Sequence, residues 1–571
     1  MSPEKPSQVE LRLEIRIPVR DGVHLNATGY IPKNQREPLP CIVAMTPYIA
    51  DNCHERGMYF AEQGLPFFAV DVRGRGNSEG TFRPFIQEAY DGYDVVEWLA
   101  AQSVCSGKVA MWGGSYLGYC QWATAKEFPP HLATIVPTAA PCIGIDFPMR
   151  NSVFYPYVIQ WLMLTSGRVS QMRIFLDSTF WSRAFHEWHA SGRAFCDLDC
   201  MLGQRSSTFQ EWVRHSESGR YWDAYNPSGD EYARLDIPIL TITGSYDDDQ
   251  PGALAHYREH IGHNSSGRHY LVIGPWDHGG TSTPRVEFGG LTCGAESLVD
   301  LGSLHREWYA WVMQQGPRPA FLKKAVAYYV MGSELWRYAD SLEHVTERYE
   351  TLFLDSVGNA DDVYSSGSLS PLVGKGRADT YRYDPRDVQG PEIEAEARAD
   401  GNSLIDQSTV VALGGKSLVY HSALFEQDSE ISGFFKLSVW LAIDCPDTDF
   451  YVSVCEISLD GSSVRLSTDA IRARYRKGLR RPELIQTREP LRYDFDRFTF
   501  ISCRVKRGSR LRLVIAPIGR LVGATFTQKN YNAGGVVADE THEDARCVTV
   551  HLFHDDAHPS ALYVPVGRIE D

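Results

Sequence analysis

The residues able to do chemistry in this chain stand at the ends of apolar runs. The stretch "VAMWGGSYLGYCQWATA", Val109 to Ala125, starts as a buried strand, breaks at Gly113-Gly114, presents Ser115 and resumes with helical character. A serine hydroxyl is a weak nucleophile until a base takes its proton, and that base needs an acid to orient it. Both partners occur downstream in the order expected for a serine on a strand-to-helix turn: Asp247 follows "IPILTITGSY" and His278 follows "RHYLVIGPWD". Each alone has a plainer reading, as a turn serine, a solvated or helix-capping aspartate and a surface-loop histidine. Three strand ends carrying the three group types in order outweigh any one of them. The turn departs from G-x-S-x-G, since Leu117 stands two residues after the serine and Gly118 three. A dinucleotide loop fits worse, because G-x-G-x-x-G does not occur.

The elements that must position these groups follow from texture. "EIRIPVRDGVHLNATGYIP" predicts a hairpin around Asp21-Gly22, and "PCIVAMTPY" and "LPFFAVDVRG" predict buried strands of a mostly parallel sheet. "EAYDGYDVVEWLAAQ" has helical spacing, so residues 1–144 predict the first part of an α/β domain. Over 145–236 the strands give way to aromatic, helix-like segments, and apolar strands resume over 237–325. From 326 to 571 β-type segments with Gly, Asp and Asn turns predict a β-sandwich. The segment "DPRDVQGPEIEAEARADGNS" predicts a long surface loop.

Composition sets the outer limits. At 571 residues the chain exceeds one core, and 43% hydrophobic and 22% charged content is that of a globular protein. A formal charge of −16 repels polyanions, which argues against nucleic acid or an anionic membrane as partner. No stretch reaches the length of a transmembrane span, and the opening "MSPEKPSQVELRLEIRIPVRDG" has no apolar signal-like core. The 12 cysteines form no C-x-x-C array, so the expectation is a cytoplasmic protein with reduced thiols and no metal site. The basic run "RARYRKGLRR" is read as a salt-bridged strand and loop rather than a nucleic-acid patch.

The elbow "GGSYLG" resembles that of the cocaine esterase / X-prolyl dipeptidyl peptidase family, which includes α-amino acid ester hydrolases and glutaryl acylases. "DVRGRGNSEG", "GPWDHG", "YVMGSELWR", "PDTDF", "IRARYR" and "HDDAHPS" also resemble family blocks. The resemblance implies an α/β hydrolase core with an inserted helical cap, plus a C-terminal all-β jelly roll. It implies Ser115 as nucleophile, His278 as general base then acid, and Asp247 as the acid that holds the imidazole. It also implies an oxyanion hole of the Tyr48 hydroxyl and the Tyr116 N–H, and no cofactor.

Three consecutive aspartates, Asp247, Asp248 and Asp249, compete for the acid role. The family's spacing from Gly244 selects Asp247. In the amino ester hydrolases nearby carboxylates hold a substrate ammonium. Here Asp249 and Asp146 are the candidates, and Gln250 replaces a further carboxylate. Trp161 and Phe154 are candidates for lining an acyl or leaving-group pocket. The expected function is a serine hydrolase of esterase or acylase type acting on a small-molecule ester or amide. An acyltransferase or lactone- or amide-forming enzyme on the same triad is the alternative, and a non-catalytic ligand-binding protein the remote one. Assembly into a homo-oligomer is left open. An ordinary histidine base would make activity rise through roughly pH 6 to 7.5.

Overall fold

The computed structural model describes residues 8–264, 267–389, 401–412, 414–517 and 527–568, and its apolar runs assemble into two large sheet systems. The first has ten strands. Strands β1 (Val9–Pro18) and β2 (His24–Pro32) form the antiparallel hairpin expected around Asp21-Gly22. The strands β3 (Leu39–Thr46), β4 (Phe67–Asp71), β5 (Cys105–Gly114) and β6 (Leu132–Thr138) run parallel in the order β4-β3-β5-β6. The parallel run continues through Ile239–Tyr246, His269–Asp277 and Val326–Val330. Strand β4 is buried along its whole length, because helices cover both faces of such a sheet. The loops after β3, after β5, after Ile239–Tyr246 and after His269–Asp277 leave from the same edge, where parallel sheets carry their sites. They hold Tyr48, Ser115, Asp247 and His278.

Helices α1 (His54–Glu62), α2 (Glu88–Ala100) and α3 (Tyr116–Ala125) belong to this layered core. Between β6 and Ile239 the chain forms the cap, with α4 (Tyr157–Leu164) and the longer helix Ser178–Ser191. The cap also contains one short hairpin, Met149–Arg150 against Val153–Phe154, in a region whose texture predicted no strands. Its aromatic residues pack on one another: Trp181, Trp188, Phe195, Trp212 and Trp222 are all buried.

The boundary predicted at 326 is displaced. Val326–Val330 joins the first sheet in parallel with His269–Asp277, and Leu335–Ala339 folds back on it as the antiparallel edge strand. The second system, of thirteen strands, begins with Arg348–Asp355. A run of apolar β-formers announces a strand but not the sheet that will bury it, so "KAVAYYVMG" predicts a strand without predicting that it closes the first sheet. This C-terminal β domain has its own core, built on residues such as Leu437, Val439, Leu513 and Val550. The basic run is salt-bridged as read: Arg472 pairs with Asp449, Arg474 with Asp447, and Arg476 and Lys477 with Glu483. Arg472 also donates to the Ser152 carbonyl at 3.2 Å, which seats the cap on the β domain. Part of the loop read over 384–403 lies outside the described residues. Among the described residues no helix is long and apolar enough to cross a membrane.

Candidate active site

Strand β5 ends at Gly114 and α3 begins at Tyr116, so Ser115 is the whole of the turn between them. Its φ of 57° and ψ of −124° form a strained conformation for a residue with a side chain. The Ser115 N–H donates to the Thr138 carbonyl at 2.9 Å, which ties the elbow to the end of β6. The glycine spacing has a steric cause. A Cβ on Gly113 would lie 2.5 Å from the Leu117 Cβ, and one on Gly118 would lie 2.9 Å from the Ala140 Cβ. The second small residue is therefore needed three positions after the serine, where α3 crosses β6. The Tyr116 N–H, in the first turn of α3, has no partner within its helix.

The histidine and the acid meet across neighbouring strand ends. His278 Nδ1 lies 2.8 Å from Asp247 Oδ1. Asp247 is buried and held by two further donors: the Thr243 hydroxyl at 2.7 Å and the Asp249 N–H at 3.1 Å. The His278 side chain is 40% exposed, so its outer edge opens into the cleft. Its loop also closes over the elbow, because a Cβ on Gly114 would lie 3.3 Å from the Ser282 Oγ. Tyr48 follows β3, lies close enough to Ser115 for that side chain to influence its phenol, and accepts the Trp161 indole N–H at 2.9 Å. Burial holds its phenol well above the ordinary range, and the Trp161 and Ser115 side chains pull the other way.

With this geometry, similarity to known proteins becomes informative. Residues 21–280 match the X-Pro dipeptidyl-peptidase (S15 family) model, and residues 311–518 match the X-Pro dipeptidyl-peptidase C-terminal non-catalytic domain. The chain belongs to the cocaine esterase / X-Pro peptidase-like family. The cocaine esterase of Rhodococcus sp. is 23% identical over 97% of this chain and 98% of its own. An α-amino acid ester hydrolase structure covers 99% of this chain and 98% of its own at 18% identity, with a TM-score of 0.82. An aminopeptidase from a Thaumarchaeota archaeon covers 100% and 98% at 19% identity, with a TM-score of 0.83. The fold is that of an α/β hydrolase with a C-terminal β domain, and the family is one of serine hydrolases.

In this S15-family hydrolase the carboxylates beside the histidine have different tasks. Asp249 Oδ2 lies 3.7 Å from His278 Nδ1, on the same side as Asp247. Burial pushes its carboxyl up to about 7, with His278 opposing and Asp247 and Asp248 adding to the rise. Asp146 is close enough to Asp249 that burial, and then the charge of Asp249, raise its carboxyl. It is buried, and its carboxylate accepts the N–H groups of Cys142 at 2.9 Å and Gly252 at 2.5 Å. It is a strut between the start of the cap and the helix Gln250–His263. Gln250, at the start of the same helix, bonds Phe500 in both directions, at 2.7 and 3.1 Å. Of the positions where an ammonium-binding cluster was sought, only Asp249 stands beside the histidine.

The aromatic candidates also separate. Phe154 is fully buried, against Phe195 at 6.1 Å between ring centroids, and has no face left for a ligand. That corrects its assignment to the pocket; an aromatic residue in the cap's short β-hairpin reads the same in sequence whether it packs inward or outward. Trp161 is buried too and lies nearly parallel to Phe85 and Tyr116. Sequence reasoning missed one wall. A cleft of about 340 Å³ runs from Asp247, Asp248 and His278 to Arg465, Ser467 and Thr468 of the β domain. Nothing local in "SSVRLSTDA" marks these residues, since they reach the site only through the docking of two domains.

Proposed function

We propose that the protein cleaves a carboxylic ester or amide of a small acyl substrate through an acyl-enzyme on Ser115. The observation that supports this reading is the 2.8 Å contact of His278 Nδ1 with Asp247: a proton held on Nδ1 by that carboxylate leaves Nε2 as the base. Ser115 Oγ attacks the carbonyl carbon as its proton passes to Nε2. The carbonyl electrons move to oxygen, and this oxyanion is met by the Tyr48 hydroxyl and the Tyr116 N–H. Collapse breaks the bond to the alcohol or amine, which leaves with the proton from Nε2. Water then gives its proton to Nε2, attacks the acyl carbon and releases the acid, restoring Ser115. The test is intact-mass labelling with a fluorophosphonate, followed by a panel of esters, amides and acceptor amines. Labelling at Ser115 with hydrolysis products supports the reading, whereas an unlabelled protein ends it. Amide products formed with the acceptor amines would favour acyl transfer.

Tyr48→Phe removes one of two oxyanion donors and keeps the ring. The expected loss in kcat is about 10²- to 10³-fold with a smaller change in KM. A loss confined to KM would make Tyr48 a substrate-binding residue instead.

The histidine base sits in an unusual field. Burial works against its protonation, but the Asp247 hydrogen bond and the charges of Asp249, Asp247 and Asp248 outweigh it and raise the imidazole to about 10. Nε2 is a base only when the ring is neutral, so a raised value moves the acid limb of kcat/KM upward. The limb is expected above the roughly pH 6 to 7.5 window of an ordinary histidine. Asp249→Asn removes one of the charges that hold the proton, and should move the limb back toward lower pH. A limb that stays in place, or moves upward, would show that Asp249 does not govern the base.

A further inference from the structure

The oxyanion tyrosine is tied to the cap twice. Trp161, on α4, donates its indole N–H to the Tyr48 hydroxyl oxygen at 2.9 Å. Arg75 is wholly buried, and its Nε donates to the carbonyl of Pro47, the residue before Tyr48, at 2.8 Å. Its Nη1 donates to the carbonyl of Thr165, the residue after α4, at 2.6 Å, and to that of Gly167. The segments 47–48 and 161–165 are therefore joined by a guanidinium and by an indole. The indole is fixed as well by its near-parallel packing on Phe85 and Tyr116, at 18° and 19° between planes.

We propose that Trp161 is a positioning residue for the oxyanion hole: its N–H occupies one acceptor site of the Tyr48 oxygen, turning the phenolic proton toward the reacting carbonyl. This rests on the reading of Tyr48 as an oxyanion donor. A phenol has one proton to donate, and the indole hydrogen prevents that proton from pointing at the cap. As the oxyanion draws on the phenolic proton, negative charge grows on the Tyr48 oxygen and the indole bond strengthens. The contact is thus stronger in the transition state than in the ground state, which is the condition for raising kcat rather than binding. Trp161 reaches the reaction through Tyr48 and does not need to touch substrate.

The experiment is a double-mutant cycle of Trp161→Phe and Tyr48→Phe, read as kcat and KM on one ester. Trp161→Phe retains an aromatic ring and removes the N–H. It should lower kcat about tenfold with KM changed less than about twofold. In the Tyr48→Phe background the same replacement should change kcat by less than about twofold, because the acceptor is already gone. Equal losses in both backgrounds, or a change confined to KM, would overturn the proposal while leaving Tyr48 in its role. An unaffected kcat in Tyr48→Phe alone would overturn the oxyanion reading and this proposal with it. A second measurement does not depend on the folding of Trp161→Phe. Among the 13 tryptophan indole N–H resonances, one should move upfield in Tyr48→Phe as it loses its acceptor, and a spectrum in which none moves would also overturn the proposal.

Discussion

Ser115→Ala is expected to lower kcat by about 10⁶-fold while leaving the fold intact, because a reaction that needs an attacking oxygen cannot proceed by its usual route without one. The elbow does not depend on the hydroxyl. It is held by the Ser115 N–H on Thr138 and by the Gly118 and Tyr119 N–H groups on the Ser115 carbonyl, all of them backbone bonds. The side chain contributes strain instead, since a Cβ at φ 57° is unfavourable. Ser115→Gly should therefore also be inactive yet more stable than Ser115→Ala, by about 1 kcal/mol. Turnover, fluorophosphonate labelling and thermal melting of the two variants check both points. Wild-type rates in a folded Ser115→Ala protein would remove Ser115 from the mechanism. Equal melting temperatures for the two variants would mean that the elbow stores no strain.

Asp247→Asn is expected to cost about 10⁴-fold in kcat on every substrate, the scale seen when the acid of a Ser-His-Asp triad is lost. Its carboxylate serves three donors with two oxygens: the Thr243 hydroxyl, the Asp249 N–H and the His278 Nδ1–H. An amide has one acceptor oxygen, and it has no charge with which to stabilise the imidazolium. Asp248→Asn should do little. Asp249→Asn should shift the pH profile as described and, if a cationic substrate group is recognised, weaken α-amino esters selectively over matched esters without the amino group. Equal losses on both substrates would remove ammonium recognition. A collapse in Asp249→Asn with a healthy Asp247→Asn would transfer the acid role to Asp249, which is close enough to Nδ1 at 3.7 Å to be tested in it.

The choice among the three aspartates shows where sequence reasoning stops. The spacing from Gly244 in the family that the chain resembles selects Asp247, and the structure sets Asp247 Oδ1 2.8 Å from His278 Nδ1. The field that raises His278 comes from all three at once, and a field summed through space has no signature in residue spacing. Asp146 is a comparable case. As a residue type it suits cation binding, and the structure adds that one backbone N–H bonds each of its carboxylate oxygens and that Asp249 lies within its field. Trp161 was legible as an aromatic near the site, not as an indole N–H aimed at Tyr48.

The sequence by itself determined the strand-to-helix elbow, the order of Ser115, Asp247 and His278 at strand ends, the helical cap and the β-rich C-terminal half. These are properties of short chain segments: burial periodicity, glycine where a Cβ would clash, turn residues after apolar runs. Only the tertiary structure decided which sheet takes Val326–Val330, that Phe154 faces inward, that Gln250 locks onto Phe500, and that the β domain supplies a wall of the cleft. The physical reason is that hydrogen bonds and charges act through space, between groups hundreds of residues apart. A side chain's type states what it can donate, accept or bury, and its partner is chosen only when the domains close on one another.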